Sequence, residues 1–278
     1  MTSQKRTIDL LSGTLPLRLS DQGEGRVFLI LHGGAGPASV AGLANELSKK
    51  ARAIAPTHPG FDGEPRPDGF ARVDDLALAY LDLIESLDLT DAVIIGNSIG
   101  GWIAAEMALR KSPRIAGIIL LNAVGIDTGS PDRTIVDPMK LAPAERLAHA
   151  FHDPSRFAAA PPSPEAAAMM ASNQRTLRVY SGELLHDPSL AARLAQMQVP
   201  ALVVWGESDR IVDADYGRRF ASSMPGAGFK LVARAGHFPH IERLDEVATL
   251  IEDFGEALPV RSTQAKGIAF ALPSAASD

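Results

Sequence analysis

Cysteine is absent from the 278-residue sequence. Its absence excludes disulfide bonds, a thiolate nucleophile and a cysteine-ligated zinc site. The sequence also lacks an apolar run of about 20 residues, which a membrane-spanning helix requires. Residues 1–8 carry Lys5 and Arg6 but lead into an alternating segment, unlike the long apolar stretch of a signal peptide. We therefore expect a cytoplasmic protein with no membrane partner.

Positively charged residues are outnumbered by negatively charged ones. Lysine and arginine number 27 against 33 acidic residues, so the formal net charge is -6. Such a chain has no basic field with which to bind phosphate backbones, and we expect no nucleic-acid partner. Hydrophobic residues make up 46% of the chain, which is ordinary for a folded soluble protein. The length favours one large core with an insertion over two equal domains.

Short apolar segments alternate with helical periods along most of the chain. Residues 27–31 are apolar at every position, as expected of a strand that is buried on both faces of a parallel sheet. The same composition recurs at residues 52–56, 92–95, 115–121, 201–205 and 229–232, and helical periods occur at 40–49, 73–87, 102–110 and 215–223. Residues 7–11 and 15–19 predict an edge hairpin. The alternation predicts an α/β fold with a mostly parallel sheet.

The alternation is interrupted once. Residues 124–195 contain no buried strand pattern and are rich in alanine, proline and methionine. We interpret them as a helical cap inserted between two strands of a core formed by residues 1–123 and 196–258. Residues 158–164 are a linker or a solvated loop within this cap. The tail, residues 259–278, loses periodicity and is expected to be disordered.

A glycine-flanked serine directly follows the strand at residues 92–95. Residues 96–101 read Gly-Asn-Ser-Ile-Gly-Gly, and a helical segment begins near Trp102. This is the G-x-S-x-G pattern in a strand-turn-helix setting, where the serine occupies a strained turn and side chains two positions away would collide. The pattern predicts Ser98 as a nucleophile.

A second glycine-rich loop, residues 32–37, follows the first buried strand. A tetrahedral intermediate needs two N–H donors, one from the residue after the nucleophile and one from such an earlier loop, which indicates Ile99 and Gly34. The rival interpretation is a dinucleotide-binding loop, but the third glycine is missing and no acidic residue ends the next strand. We expect His32 to pack the loop rather than to act as a base.

The base and the acid are expected on loops that follow later strands. His237 lies after the last strand and before a helix, and Asp209 follows the strand at 201–205. The chain order Ser98, Asp209, His237 is that of Ser-acid-His triads in one class of hydrolases. The nearby acidic residues Glu207, Asp213 and Asp215 are weaker candidates because of their distance from the strand end. A further pair, His149 and His152, lacks a third metal ligand, so we expect no metal site.

Taken together, these motifs resemble the α/β-hydrolase superfamily over about residues 14–258. The resemblance implies an α/β-hydrolase fold, with a mostly parallel central sheet flanked by helices and a helical cap inserted between two strands. The elbow resembles that of the meta-cleavage product hydrolases, which cut carbon–carbon bonds in dienoic ring-fission products. This resemblance implies a substrate-binding role for Asn97 and a cap arginine, Arg175 or Arg178, that holds a carboxylate. Phe238 stands where that family has tryptophan and is expected to contact substrate.

The segment from His237 to Glu242 is more similar to general carboxylesterases. We therefore expect a serine hydrolase that acts on a small to medium carboxylic ester or related acyl substrate, with no cofactor. Carbon–carbon bond hydrolysis is one alternative, and an acyltransferase or perhydrolase would retain the same triad. A third is a ligand-binding receptor that keeps the fold without turnover. The oligomeric state, a homodimer included, stays open.

Overall fold

A computed structural model describes residues 4–130, 135–157 and 162–259 of the chain. Within these residues, eight strands form a single sheet. The strands are β1 (Gln4–Leu10), β2 (Leu15–Gln22), β3 (Val27–Leu31), β4 (Arg52–Pro56), β5 (Ala92–Asn97), β6 (Ile115–Leu121), β7 (Ala201–Gly206) and β8 (Gly228–Val232). Their order across the sheet is β1-β2-β4-β3-β5-β6-β7-β8. Strands β3 to β8 pair in parallel, and the β1–β2 hairpin joins β4 in antiparallel fashion.

Helices cover both faces of this sheet. They are α1 (Ala38–Leu47), α2 (Val73–Ser86), α3 (Ile99–Leu109), α4 (Pro143–Ala150), α5 (Pro164–Ser181), α6 (Leu190–Leu194), α7 (Ala214–Ser222), α8 (Pro239–Glu242) and α9 (Leu244–Ala257). Short 3-10 turns occupy Pro138–Lys140 and Pro154–Phe157. The α/β fold class predicted from the sequence is confirmed.

Alternate residues of the central strands point to opposite faces of the sheet. In β3, Leu29 and Leu31 join the apolar cluster that contains α2 and α3, whereas Phe28 and Ile30 join the cluster that contains α1 and α9. Each residue of β3 is therefore buried, because successive side chains of a strand point to opposite sides and both sides are covered. This explains why the central strands read as uninterrupted apolar runs.

The last strand differs from the prediction. The sequence predicts β8 to be buried like the central strands, but four of its five residues are exposed or half-buried and only Val232 is buried. The physical reason is its position, because β8 pairs with β7 alone and forms an edge of the sheet. Leu231 is consequently exposed.

The segment between β6 and β7 carries helices and no strand in its described residues, in agreement with the predicted pattern. Its helices α4, α5 and α6 interrupt the alternation of strand and helix. Contacts to the core are specific, since Asn173, Thr176 and Tyr180 of α5 hydrogen-bond to the loop that follows β4. Division of the chain into a core and a cap at residues 124–195 stays a prediction. The predicted disordered tail lies outside the described residues except for Pro259.

Candidate active site

Ser98 occupies a sharp turn between β5 and α3. Its backbone has φ 55° and ψ -121°, a conformation that costs energy for a residue with a side chain. The flanking glycines are sterically required: a Cβ at Gly96 would lie 2.1 Å from the Gly100 carbonyl oxygen, and one at Gly100 would lie 2.3 Å from the Leu31 carbonyl oxygen. The turn therefore presents the Ser98 side chain at the carboxyl end of the sheet, where it lines a cavity.

His237 and Asp209 form a buried pair. The His237 Nδ1 atom lies 2.8 Å from Oδ2 of Asp209, and each residue is 5% exposed. The Asp209 carboxylate also accepts hydrogen bonds from the side-chain amide of Asn122 at 2.7 Å and from the backbone N–H groups of Ile211 and Val212. Both oxygens of this carboxylate thus act as acceptors, so the histidine ring is its donor. His237 then donates from Nδ1, which leaves the lone pair on Nε2.

The other acidic residues near β7 have different positions. Asp213 is exposed and caps the N-terminus of α7, where its Oδ1 accepts from the Tyr216 backbone N–H at 2.9 Å. Asp215 is exposed in the first turn of that helix, and Glu207 is exposed after the strand. Of the four acidic residues weighed from the sequence, Asp209 is the one that contacts His237.

Two backbone amides are available near Ser98. Ile99 is the first residue of α3, and the first N–H groups of a helix have no acceptor within the helix. The second amide belongs to Gly34, in the loop after β3, and this residue lines the same cavity as Ser98. Within the described residues, the Gly34 N–H donates to no protein acceptor. The geometry brings together the two loops that the sequence predicts as the oxyanion site.

The cavity next to Ser98 and His237 has a volume of about 270 Å³. Its described walls are formed by Gly34, Ala35, Ser39, Ser98, Pro138, Arg146, Leu147, Ala150, Phe151, Met170, Asn173, Gln174, Leu177, Ile211, His237, Phe238 and Ile241. Most of these side chains are apolar, as in pockets for small organic ligands. The volume falls near the low end of such pockets and suits a small substrate.

Phe238 lines this cavity as expected, but two other predicted substrate-binding residues do not. Arg175 lies on the exposed face of α5, outside the cavity. Arg178, the alternative arginine, forms ion pairs with Asp137 and Glu183. Neither arginine therefore lines the cavity, and the predicted hold on a substrate carboxylate stays a prediction. The sequence does not specify how α5 is oriented on the core, which decides the side chains that face the cavity.

Asn97 is also absent from the cavity wall. It is 1% exposed, and its Nδ2 atom donates to the backbone carbonyls of Leu121 at 3.0 Å and His237 at 3.1 Å. These bonds connect the elbow to the end of β6 and to the loop that carries the histidine. The side chain therefore bonds to backbone outside the cavity wall, and its role in substrate binding stays a prediction.

Arg146 and Asn122 were not identified from the sequence. Arg146 of α4 lines the cavity, and its guanidinium donates to the carbonyls of Pro138 and Leu141 at 3.1 and 3.3 Å. Among the described residues of the wall, it is the one lysine, arginine, aspartate or glutamate. Asn122 could have been found, because it directly follows β6 at the edge of the sheet where Asp209 follows β7. No sequence signal indicates Arg146.

A buried histidine pair supports the loop after β3. His32 and His58 are both 0% exposed, and their rings lie 3.7 Å apart between centroids. Burial lowers the pKa of His32 to about 4. The pKa of His58 is also well below its ordinary value, first because of burial and then because of the neighbouring His32. Both rings are therefore neutral near pH 7.

In the described residues, no helix is apolar and long enough to cross a lipid bilayer. Nor does any group of three or more histidine, aspartate or glutamate side chains in that part of the chain have the arrangement of a metal site.

Comparison with known proteins defines the family. Residues 28–250 match the model of the alpha/beta hydrolase family. A curated relative, the 2-hydroxymuconate semialdehyde hydrolase of Pseudomonas putida, is 27% identical, and the match covers 88% of this chain and 92% of that protein.

Solved structures agree on the fold. A thermophilic esterase from Thermogutta terrifontis, in a malate-bound structure, superposes with a TM-score of 0.72 at 21% identity and covers 91% of this chain and 98% of the other. The meta-cleavage product hydrolase from Pseudomonas fluorescens IP01, complexed with acetates, has a TM-score of 0.71 at 24% identity with the same coverage of both chains. The family model spans most of the sequence, and the chain accordingly belongs to the alpha/beta hydrolase family.

Proposed function

We propose that the protein is a serine hydrolase that cleaves a small carboxylic ester or a related acyl substrate. One observation carries the proposal. Ser98, on its strained turn, and His237, paired with Asp209, both line one mostly apolar cavity. A nucleophile and a base with a carboxylate partner are the groups that acyl transfer through a covalent intermediate requires.

The reaction follows from these positions. His237 Nε2 accepts the Ser98 hydroxyl proton while Oγ attacks the substrate carbonyl carbon. The N–H groups of Gly34 and Ile99 stabilise the resulting oxyanion, and His237 returns the proton to the leaving alcohol. Water then attacks the carbonyl carbon of the acyl-enzyme while His237 takes a proton from it. His237 gives this proton to the departing Ser98 Oγ, and the carboxylic acid is released. Asp209 keeps the Nδ1 proton of His237 in place throughout and stabilises the imidazolium that forms when Nε2 is protonated.

We further propose that residues 124–195 serve as a cap that selects the substrate. Support comes from the cavity wall, to which α4 contributes Arg146 and Leu147 and α5 contributes Met170 and Leu177 among others. Apolar walls of this kind discriminate weakly between similar acyl chains, by about 1–3 kcal/mol per methylene. Broad acceptance of small apolar acyl groups is the expected consequence. A cytoplasmic location, which we also propose, is compatible with the absence of cysteine.

The test compares replacement of the proposed nucleophile with replacement of another serine in the cavity wall. Native protein should hydrolyse p-nitrophenyl esters of short chain length and react with a fluorophosphonate probe. Ser98→Ala should lose turnover by several orders of magnitude and lose labelling. Ser39 lines the same cavity, with its hydroxyl bonded to the Gly36 carbonyl at 2.7 Å, and Ser39→Ala should keep both. Retention of activity in Ser98→Ala would contradict the assignment.

A second candidate function is carbon–carbon bond hydrolysis of an anionic dienoate. Arg146 favours it, because a guanidinium in an otherwise apolar wall offers a carboxylate a charge-assisted hydrogen bond. The name of the Pseudomonas putida relative points in the same direction.

The two candidates differ in their response to charge. Turnover of a dienoate and of its neutral methyl ester should be compared in native protein, in Arg146→Met and in the matched variant Arg175→Met. A carbon–carbon hydrolase should prefer the dienoate and lose that preference only in Arg146→Met. If the neutral ester is preferred in all three proteins, the ester hydrolase is retained and the second candidate is dropped.

A further inference from the structure

The peptide unit between Gly33 and Gly34 contains the proposed oxyanion donor. A peptide bond is planar and trans, so the Gly33 carbonyl and the Gly34 N–H point in opposite directions from one rigid plane. The His32 Nδ1 atom lies 2.7 Å from the Gly33 carbonyl oxygen, and the Gly36 N–H also donates to this oxygen at 3.1 Å. Whatever fixes the carbonyl therefore also fixes the direction of the Gly34 N–H.

The tautomer of His32 follows from its neighbours. The backbone N–H of His58 lies 3.0 Å from Nε2 of His32, and a backbone amide can only donate. Nε2 is thus the acceptor, and the proton of the neutral ring is on Nδ1. Nδ1–H then donates to the Gly33 carbonyl, and this donation strengthens the polarity of the adjoining Gly34 N–H.

His58 is fixed in the same way. Its Nε2 atom lies 2.9 Å from the His32 carbonyl oxygen, which can only accept, so His58 is protonated at Nε2. Its Nδ1 is therefore the acceptor for the hydroxyl of Tyr80 in α2. Tyr80 is 0% exposed, like both histidines. A buried chain of hydrogen bonds thus runs from α2 through His58 and His32 to the Gly33–Gly34 peptide.

We infer that His32 is a positioning residue for catalysis, which directs the Gly34 N–H into the cavity by hydrogen-bonding the Gly33 carbonyl, while His58 sets the tautomer that makes this possible. The inference rests on the proposed function, because it assigns the Gly34 N–H to the oxyanion. His32 itself does not line the cavity, so it is not placed to contact a substrate bound there. Its effect is therefore expected on the transition state and not on substrate binding.

Two variants of equal shape separate this role from simple packing. Asn and Leu side chains have the same number of heavy atoms and the same branching at Cγ, but His32→Asn keeps an N–H donor near the position of Nδ1, and His32→Leu has none. Both variants lose the acceptor for the His58 N–H. The difference between them consequently reports the hydrogen bond to the Gly33 carbonyl.

His32→Leu should lower kcat by at least about tenfold, part of the roughly 100- to 1000-fold loss caused by deletion of an oxyanion donor. KM should stay within about twofold, since the interaction is made in the transition state. Inhibition by a trifluoromethyl ketone, which forms a tetrahedral oxyanion with the serine, should weaken by the same factor as kcat. His32→Asn should keep most of the native kcat and most of the native inhibition by the ketone.

Tyr216→Phe provides a control for loss of stability alone. The Tyr216 hydroxyl bonds to the backbone of Gly125 and Ile126, and the residue is buried and does not line the cavity. This variant should be destabilised without a change in kcat. Equal losses of kcat in His32→Asn and His32→Leu would overturn the inference, as would a loss confined to KM.

Failure of the proposed function and failure of the inference about His32 give different experimental results. If Ser98→Ala retains activity, the oxyanion assignment fails whatever the His32 variants do. If Ser98→Ala is inactive and His32→Leu keeps full kcat, the inference alone fails. Should neither His32 variant fold, imidazole ¹⁵N chemical shifts in the native protein decide, because protonation of His32 at Nε2 excludes donation to the Gly33 carbonyl.

Discussion

At the scale of single residues, Asn97 shows how a side chain next to the nucleophile acts without reaching the cavity. Its amide donates to the carbonyls of Leu121 and His237, so it connects the elbow to the loop that carries the base. Asn97→Leu keeps the branching of the side chain and leaves both carbonyls without this donor. We expect the free energy of unfolding to fall by about 1–3 kcal/mol.

The kinetic effect of Asn97→Leu distinguishes positioning from substrate contact. Displacement of His237 should lower kcat, whereas KM should change little because Asn97 lies outside the cavity wall. Urea unfolding and steady-state kinetics on one ester measure the two effects. A raised KM with unchanged kcat would instead support the substrate-binding role that the sequence predicts for Asn97.

Sequence reasoning found the residues that backbone geometry constrains and missed those that depend on packing between segments. Ser98 could be predicted because the strained turn demands glycine at fixed positions on both sides. Asp209 could be predicted because parallel strands deliver the residues after their carboxyl ends to one edge. Arg146 could not, since its orientation depends on how α4 rests on the core, and nothing in the local sequence specifies that contact.

At the scale of elements, one ion-pair cluster joins α6 to α3, the helix that begins after Ser98. Both carboxylate oxygens of Glu106 accept from Arg193, at 2.6 and 2.7 Å, and Arg193 also pairs with Asp187 at 2.7 Å. The Glu106 side chain is 4% exposed and that of Arg193 is 38% exposed. The arrangement attaches the segment between β6 and β7 to the core.

Loss of the arginine should leave a buried carboxylate without its partner. Arg193→Met should lower the free energy of unfolding, by less than the roughly 3–5 kcal/mol of a fully buried pair because Arg193 is partly screened by water. The control Arg219→Met breaks the exposed pair with Asp127 and should cost about 0–1 kcal/mol. The double variant Arg193→Met with Glu106→Gln should recover part of the loss in urea unfolding. Equal costs for the two single variants would contradict this account.

The sequence predicts the bounds of helices and strands well where a helical period or an apolar run is clear. Helix α2 was expected at 73–87 and spans Val73–Ser86, and the central strands agree within a residue or two. The burial of β8 was wrong because an apolar sequence does not reveal that a strand has a neighbour on one side only. Helix α3 begins earlier than expected, at Ile99, because the helix starts immediately after the elbow.

At the scale of the whole molecule, buried histidines make stability depend on pH. Burial lowers the pKa of His32 and of His240 to about 4, and that of His58 lies well below the ordinary value. In the unfolded chain these rings bind protons near pH 6.5. Between about pH 6.5 and 4 the unfolded state therefore binds more protons than the folded state, and stability falls as the pH falls.

Each such histidine contributes a slope of up to about 1.4 kcal/mol per pH unit in that range. Urea unfolding at pH 7.5, 6.5 and 5.5 should show a plateau followed by this decline. His240→Gln, which can keep the donor to the Ser39 carbonyl, should reduce the slope by about one histidine. A flat profile would show that the buried rings accept protons in the folded state.

The strand order also determines when the site is completed during folding. Strand β6 ends at Leu121 and its sheet neighbour β7 begins at Ala201, so their pairing must close a long loop. Ser98 and Gly34 follow strands on one side of this junction, and Asp209 and His237 follow strands on the other. Pairing across long sequence separations is slow because chain entropy is lost before contacts form. In refolding from urea, activity should therefore return with the fluorescence of Trp205 in β7, measured in a Trp102→Phe background, and never before it.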